Sequence, residues 1–400
     1  MLNCSLGCGV VAPGCIGVAG LYALLASTLL FFISMSATSS VISRYMRDLG
    51  TDVAASGQVY AVTPLVAALL RLPVGIAADR IGARCFLVAG SLAAAAAGVS
   101  ALFATSVTAV TVVRALQGLA LAFFVAPSIA AAAALGGHMV ARAISMRAVA
   151  VSAALILGPL VAGVVADLAG YHAVFAFTAA TGLAAALAAA RTPGVPGHRT
   201  GGGGVGLHGV LTLGVVVSIA LAFVDGMAFF AVQSLSQMQL RDLGYGASVS
   251  GAFQSIAAAS GLVARGLSSH VYARLGPRRM LALGFSLETL GFTLLAEYPA
   301  PPLVYAAALL YGLGSGTSIP GEQMLASMSV PRGAGNRAAS LYTLGFDMGG
   351  TLGLFALSEL AGSAGYSSAY GAAALAAVAA GGLSLAVVGR AVRAPTPSTR

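Results

Sequence analysis

The chain has 400 residues, of which 58% are apolar and 52 are glycine, while only 8% are charged (11 acidic and 20 basic). A soluble globular domain carries about 25% charged residues, so a water-facing surface of this size cannot be built, and disorder, which needs low hydrophobicity and high charge, is excluded as well. The formal net charge of +9 comes from arginines scattered between apolar runs; they form no single basic face, so no nucleic-acid partner is expected.

A hydrocarbon-spanning helix takes about 20 apolar residues. Apolar runs and the turn residues between them predict twelve helices, near 14–40, 53–79, 84–105, 107–135, 141–166, 171–191, 207–236, 247–272, 279–297, 301–328, 337–360 and 366–389. Runs such as Leu87 to Ala104 lack the two-residue alternation of an outer-membrane barrel. The expected fold is therefore an all-α membrane protein, with twelve transmembrane helices in two pseudo-symmetric six-helix bundles. Residues 1–192 form the first bundle, 193–206 a flexible Gly-rich linker, and 207–400 the second bundle with a short tail.

Arginine placement sets the expected orientation. With the N-terminus inside, the inner loops and tail hold fourteen arginines: 80, 84, 142, 147, 191, 199, 274, 278, 279, 332, 337, 390, 393 and 400. The outer loops hold three, Arg44, Arg47 and Arg241. This predicts a multi-pass protein of the cytoplasmic membrane with both termini cytoplasmic. The first charge is Arg44, so the basic start of a signal peptide is missing. Cys4, Cys8, Cys15 and Cys85 lack metal-ligand spacing, and the five histidines lie in or beside loops or at a helix end; no metal and no cofactor are expected.

A shift of 194 residues aligns the second half on the first without a gap. Between 47–90 and 241–284 it pairs Arg47 with Arg241, Asp48 with Asp242, Gly57 with Gly251, Arg71 with Arg265, Arg80 with Arg274, Gly82 with Gly276 and Arg84 with Arg278. Parallel repeats of this kind are an architecture of secondary transporters, with the substrate path between the halves.

The loop from Gly75 through Asp79, Arg80 and Gly82 to Arg84 resembles the G-x-x-x-D-R-x-G-R-[KR] loop of the major facilitator superfamily, at the same place between helices 2 and 3. Arg114, Gln117 and Gly118 are similar to the family's R-x-x-Q-G motif in helix 4. Gly158, Pro159 and Gly163 resemble the end of the helix 5 motif of its drug:proton antiporters, with Ala162 in place of one glycine. The stretch with Glu288, Pro320, Arg332, Tyr342 and Asp347 looks like the second half of drug, arabinose and metallophore efflux permeases, and the segment around Arg71 is similar to porters of nitrate and nitrite. The resemblance implies a cytoplasmic gate at Gly75, Asp79, Arg80, Gly82 and Arg84, latching the outward-open state. For Arg114 it implies an influence on a neighbouring carboxyl.

Charges inside the spans are costly and mark cavities or partners. Arg71 and Arg265 each lie nine residues before a loop arginine, about 13 Å of helix from the membrane surface. As repeat mates facing one cavity they would suit a planar or anionic solute. Asp225, Glu288, Glu322 and Asp347 lie within spans and are the candidate proton carriers, with Asp225 and Asp347 foremost; Asp167, Glu297 and Glu359 lie near outer helix ends, in solvated positions. Tyr60, Phe123, Phe124, Phe229 and Phe230 are aromatics that could line a cavity.

These residues predict a non-enzymatic secondary active transporter working by alternating access: proton-coupled efflux, by antiport, of a small organic solute. Arg71, Arg265 and Arg114 are the expected substrate contacts, protons and the bilayer the other partners, and a monomer the functional unit. Uptake or exchange of a small anion through Arg71 and Arg265 is one alternative, and a transport-dead membrane sensor another.

Overall fold

A computed structural model describes residues 18–194, 210–297, 300–331 and 335–391. The linker expected at 193–206, the tail beyond 391, Cys4, Cys8, Cys15, His198, His208 and Arg332 lie outside the described residues, apart from the linker's first two positions. So do the side chains of Asp79 and His138.

Helix α1 covers Val18–Ser39 and, after a break at residues 40–41, continues as Ile42–Asp48. Helices α2 (Val53–Ile81), α3 (Ala83–Leu102) and α4 (Val107–Leu135) follow. The segment Val140–Ala190 is helical over 51 residues except at Gly170. A straight helix of that length would run about 76 Å, more than twice the hydrocarbon thickness, so it is two spans, α5 (140–169) and α6 (171–190). Helix α7 is Leu213–Asp242, and Ala247–Glu297 again divides, at Gly276, into α8 (247–275) and α9 (277–297). Helix α10 is Leu303–Met328. Helix α11 runs Gly335–Met348, passes a π-helical turn at Gly349–Gly353 and ends with Leu354–Ala364; α12 is Tyr366–Ala391. Among the described residues nine helices are long and apolar enough to cross a membrane; the two divided ones count twice and the broken α11 completes twelve.

Twelve crossings place the ends of α1 and α12 at one face, here the near face; the opposite one is the far face. Local chemistry sets several boundaries. Asp52, Ser106 and Thr212 accept the backbone N–H of Ala55, Ala109 and Val215, capping α2, α4 and α7. Gly82 and its repeat mate Gly276 turn the chain at φ 98° and 70°, a region closed to most side chains, and the next helix starts at once.

Within each bundle small residues let backbones touch. A Cβ on Gly98 would meet the Ala179 nitrogen at 2.6 Å, and one on Gly182 would meet that of Ala95 at 2.7 Å, so α3 and α6 pack at minimal separation. Gly312 and Gly316 of α10 lie equally close to Ala257 and Gly261 of α8. On α11, Gly345 and Gly349 fit against the Ile219 and Phe223 carbonyls of α7.

Three expectations change. Helix α7 runs to Asp242, six residues past its expected end, and Arg47 and Asp48 lie on a helical turn, because the polar residues there find partners in the other bundle. Arg147, counted among the inner loops, is a buried residue of α5 that donates to Ser128 Oγ at 2.8 Å. Asp167 is not simply solvated: it accepts from the Ala247 and Ser248 backbone nitrogens at 2.7 and 2.9 Å, capping α8 from α5.

Candidate functional site

At the far face the two bundles are locked together by repeat-related contacts. Arg47 bonds Asp242 at 3.0 Å and Arg241 bonds Asp48 at 2.7 Å. Tyr171 donates to Asp48 and Tyr366 to Asp242. Deeper, Ser43 meets Ser234 at 3.0 Å, and Gln237 donates to the Ser39 carbonyl at 2.8 Å. That carbonyl is available because α1 breaks just after it. The repeat mates Gly57 and Gly251 seat against Ser358 of α11 and the Pro159 carbonyl of α5. Toward the near face the glycines of the same two helices face open space: a Cβ on Gly75 or Gly266 would meet nothing within 4 Å.

Below this closure lies a pocket with an empty volume of about 610 Å³, its open mouth included. Helix α5 lines it with Ser152, Leu155 and Pro159, α7 with Phe229, Val232 and Gln233, α8 with residues from Gln254 to Arg265, and α10 with Tyr311 and Ser315. It therefore lies between the bundles. Arg265 is exposed to this space.

Arg71, its repeat mate, is not among the lining residues. It bonds Asp347 of α11 at 2.6 Å, bridging the bundles on the near side, with side-chain exposures of 31% and 8%. The expected two-arginine cavity is thus not formed: one arginine faces the pocket and the other is held by a carboxylate. Arg114 is 1% exposed and lies inside the first bundle. It donates to Ser39 Oγ, Gln117 Oε1 and the Tyr60 carbonyl at 3.1, 2.6 and 3.0 Å, and sits 3.8 Å from the Tyr60 ring centre. These partners are neutral, so the carboxyl expected beside it is not among them.

Three of the four candidate carboxyls meet in the second bundle. Asp225 lies within hydrogen-bond reach of Glu288 and Glu322, and all three are fully buried. Ser318 donates to Glu288 at 2.9 Å, while both oxygens of Asp225 and of Glu322 find no N–H or O–H donor if the groups are ionised. A carboxyl that carries its proton can donate to its neighbour, so carboxyls this close can share protons. Tyr342 stands beside Glu322, and Arg265 and Tyr311 lie within electrostatic range of Asp225. Glu288 packs against Gly314 and Ser318 of α10, on either side of the pocket-lining Ser315, so the cluster borders the pocket wall.

In the loop motif, Arg80 is exposed, Gly82 makes the turn and Arg84 donates to the Ala190 carbonyl at the end of α6. Its mate Arg278 donates to the Leu385 carbonyl of α12. Both bonds stay within one bundle. The helix 5 residues Gly158 and Gly163 admit α1 and α8 on two sides: a Cβ would meet Ser36 and Ala37 at the first, and the Ala247 carbonyl at 2.7 Å at the second. Phe229 lines the pocket, whereas Phe124 stacks on Phe31 in the first bundle's core. Gln233, Gln254, Tyr311, Ser152 and Ser315 were not singled out from the sequence. The available signal was weak: two glutamines inside apolar spans.

Two repeated six-helix bundles, closed together at one face around a pocket with buried carboxyls, define a secondary membrane transporter. The chain belongs to the Major Facilitator Superfamily, whose family model matches residues 24–272 and 215–400. It is similar to the multi-drug resistance efflux pump PmrA of Streptococcus pneumoniae, 23% identical over 335 residues, covering 80% of this chain and 82% of that protein. Its fold matches a mutant of the peptide transporter POT with TM-score 0.78, at 16% identity and covering 94% and 95% of the two chains. It also matches the nucleoside transporter NupG with TM-score 0.72, at 17% identity and covering 92% and 99%.

Proposed function

We propose that this carrier exports a small organic solute across the cytoplasmic membrane in exchange for protons, with both termini cytoplasmic and a monomer as the working unit. The observation that carries the reading is the buried cluster of Asp225, Glu288 and Glu322 bordering the pocket wall. Intramembrane carboxyls are costly unless used, and here they stand where a change of protonation acts on Arg265 and Tyr311. Arg265 contacts the solute. Arg71 and Asp347 form a near-side gate whose ion pair opens and closes with the cycle, Asp347 being a further proton carrier. Arg114 braces Tyr60 and Ser39 at the bundle interface. Gly75, Asp79, Arg80, Gly82 and Arg84 latch the near face when it closes, and Gly158, Pro159 and Gly163 let α5 close against α8. Similarity to PmrA supports the outward direction.

The test is solute flux in proteoliposomes under an imposed pH gradient. Export driven by protons moving inward, lost in Asp225→Asn, supports the proposal; flux indifferent to the gradient and to that substitution overturns it. Uptake or exchange of a small anion is the second reading, favoured by Arg265 in the pocket, whose guanidinium makes no ion pair or hydrogen bond among the described residues. It requires anion movement that Arg265→Ala abolishes.

A further inference from the structure

Among the described residues that line the pocket one side chain is charged, and that charge is positive. Arg265 is exposed to the space and makes no ion pair or hydrogen bond through its guanidinium among the described residues. The acids that could have matched it are withdrawn: Asp225, Glu288 and Glu322 are 1%, 0% and 0% exposed and none lines the pocket. A cationic solute would therefore meet an arginine and no carboxylate.

The rest of the lining is mixed. Phe229 and Leu155 offer apolar surface, and Gln233, Gln254 and Ser152 offer neutral hydrogen-bonding groups. A bare oxyanion would engage Arg265 alone and leave the apolar part of the lining, Phe229 and Leu155, without a partner. A two-arginine clamp for such an oxyanion is also absent, because Arg71 is engaged by Asp347.

From this geometry we infer that the solute is an organic acid: a single carboxylate or similar acidic group bound by Arg265, attached to an aromatic or apolar body lying on Phe229 and Leu155. Arginine suits the acidic end because its planar fork donates two parallel hydrogen bonds to a carboxylate. The inference rests on the pocket being the solute site proposed above, and it narrows the solute to one class.

The experiment uses full-length protein in detergent and a matched set of probes: ω-phenylalkanoates of two to six methylenes, the corresponding amides and amines, and nitrate. Binding is read as thermal stabilisation and by titration calorimetry. The expected result is stabilisation by a carboxylate of the series, at least about tenfold weaker binding of its amide and amine, and no effect of nitrate. Arg265→Gln should lower carboxylate affinity by about tenfold or more, and Arg265→Lys, which keeps the charge but not the fork, should recover part of it. Stabilisation by amines or amides equal to that by carboxylates, binding unaffected by Arg265→Gln, or no stabilisation by any carboxylate would overturn the assignment. Flux in proteoliposomes separates this from the transport reading. Proton-driven export of an amine untouched by Arg265→Gln leaves the coupling reading standing and removes the organic-acid site. Carboxylate binding that needs Arg265, with flux of the bound acid indifferent to pH, keeps the site and removes the coupling.

Discussion

Arg71 and Asp347 lie on different bundles and meet at 2.6 Å on the near side of the pocket. Asp347 sits two residues before the π-helical turn at Gly349–Gly353, where α11 loses its regular hydrogen-bond ladder. An ion pair placed beside such a turn can be made and broken as α11 bends. Asp347→Asn preserves shape and removes the charge, leaving Arg71 without its counter-ion. The expected cost to the near-side contact is about 1–3 kcal/mol, below that of a fully buried pair because Arg71 is partly exposed. Pulsed EPR between labels on the near ends of α2 and α11 should report a wider, broader distance distribution. Arg71→Ala should do the same, and the double variant should be no worse than either single one; additive effects would mean the two side chains act separately.

The far-face contact is a network of four charges with a tyrosine on each aspartate. Single exposed ion pairs contribute about 0.2–1 kcal/mol, so one neutralisation should barely open this face. Asp48→Asn combined with Asp242→Asn removes both acidic centres and should shift the carrier toward a far-open state. The same shift should follow from raising the salt concentration on the wild type, since these side chains are partly exposed and screened by ions. Solvent accessibility of far-face positions, measured by hydrogen exchange on α1 and α7, checks both arms. Unchanged protection in the double variant would show that helix packing alone closes this face.

Much of this architecture was legible because hydrocarbon is an unforgiving solvent. Every span needs a long apolar run, and α4 begins and ends where the sequence places it, at Val107 and Leu135. The repeat was legible too, since Arg47, Asp48, Gly82 and Arg84 recur at a fixed shift. Pairing was not. Sequence spacing puts Arg71 and Arg265 at equal depth but cannot say that α11 delivers Asp347 to one and leaves the other facing empty space. Nor could it say that Asp225, Glu288 and Glu322, carried by three separate helices, converge. The end of α7 differs for a related reason: Gln237 and Arg241 look like a loop until the opposite bundle supplies their partners, Ser39 and Asp48.

Arg84 and Arg278 provide a comparison between a latch and a brace. Each donates to a carbonyl at the end of the last helix of its own bundle, Ala190 or Leu385. As braces, Arg84→Ala and Arg278→Ala should each lower stability by about 1 kcal/mol, with near-additive effects because the sites are remote from each other. Thermal unfolding in detergent measures this. If Arg84 also latches the near face, Arg84→Ala should change the transport rate while Arg278→Ala leaves it nearly intact; equal rates in the two variants would reduce Arg84 to its bracing role.

The glycines of α2 and α8 predict opposite conformational shifts from the two ends of the same helices. A Cβ on Gly251 would run into the Pro159 carbonyl oxygen and lie 3.3 Å from the Gly163 Cα. These are backbone atoms that cannot rotate aside, so Gly251→Ala must push α8 from α5 and disfavour far-face closure. Gly57→Ala should act likewise against Ser358, whose Cβ would be overlapped. At Gly75 nothing lies within 4 Å, so Gly75→Val fits the present conformation at little steric cost. In an alternating-access carrier the near face must close in turn, and a valine on α2 would then obstruct the approach of the other bundle. Gly75→Val should therefore hold the protein in the far-closed state, whereas Gly251→Ala and Gly57→Ala depopulate that state. Inter-bundle distances at both faces, measured on the three variants in the same lipid, decide the matter. If all three shift the distribution the same way, the substitutions act by loosening the helices rather than by blocking one closure.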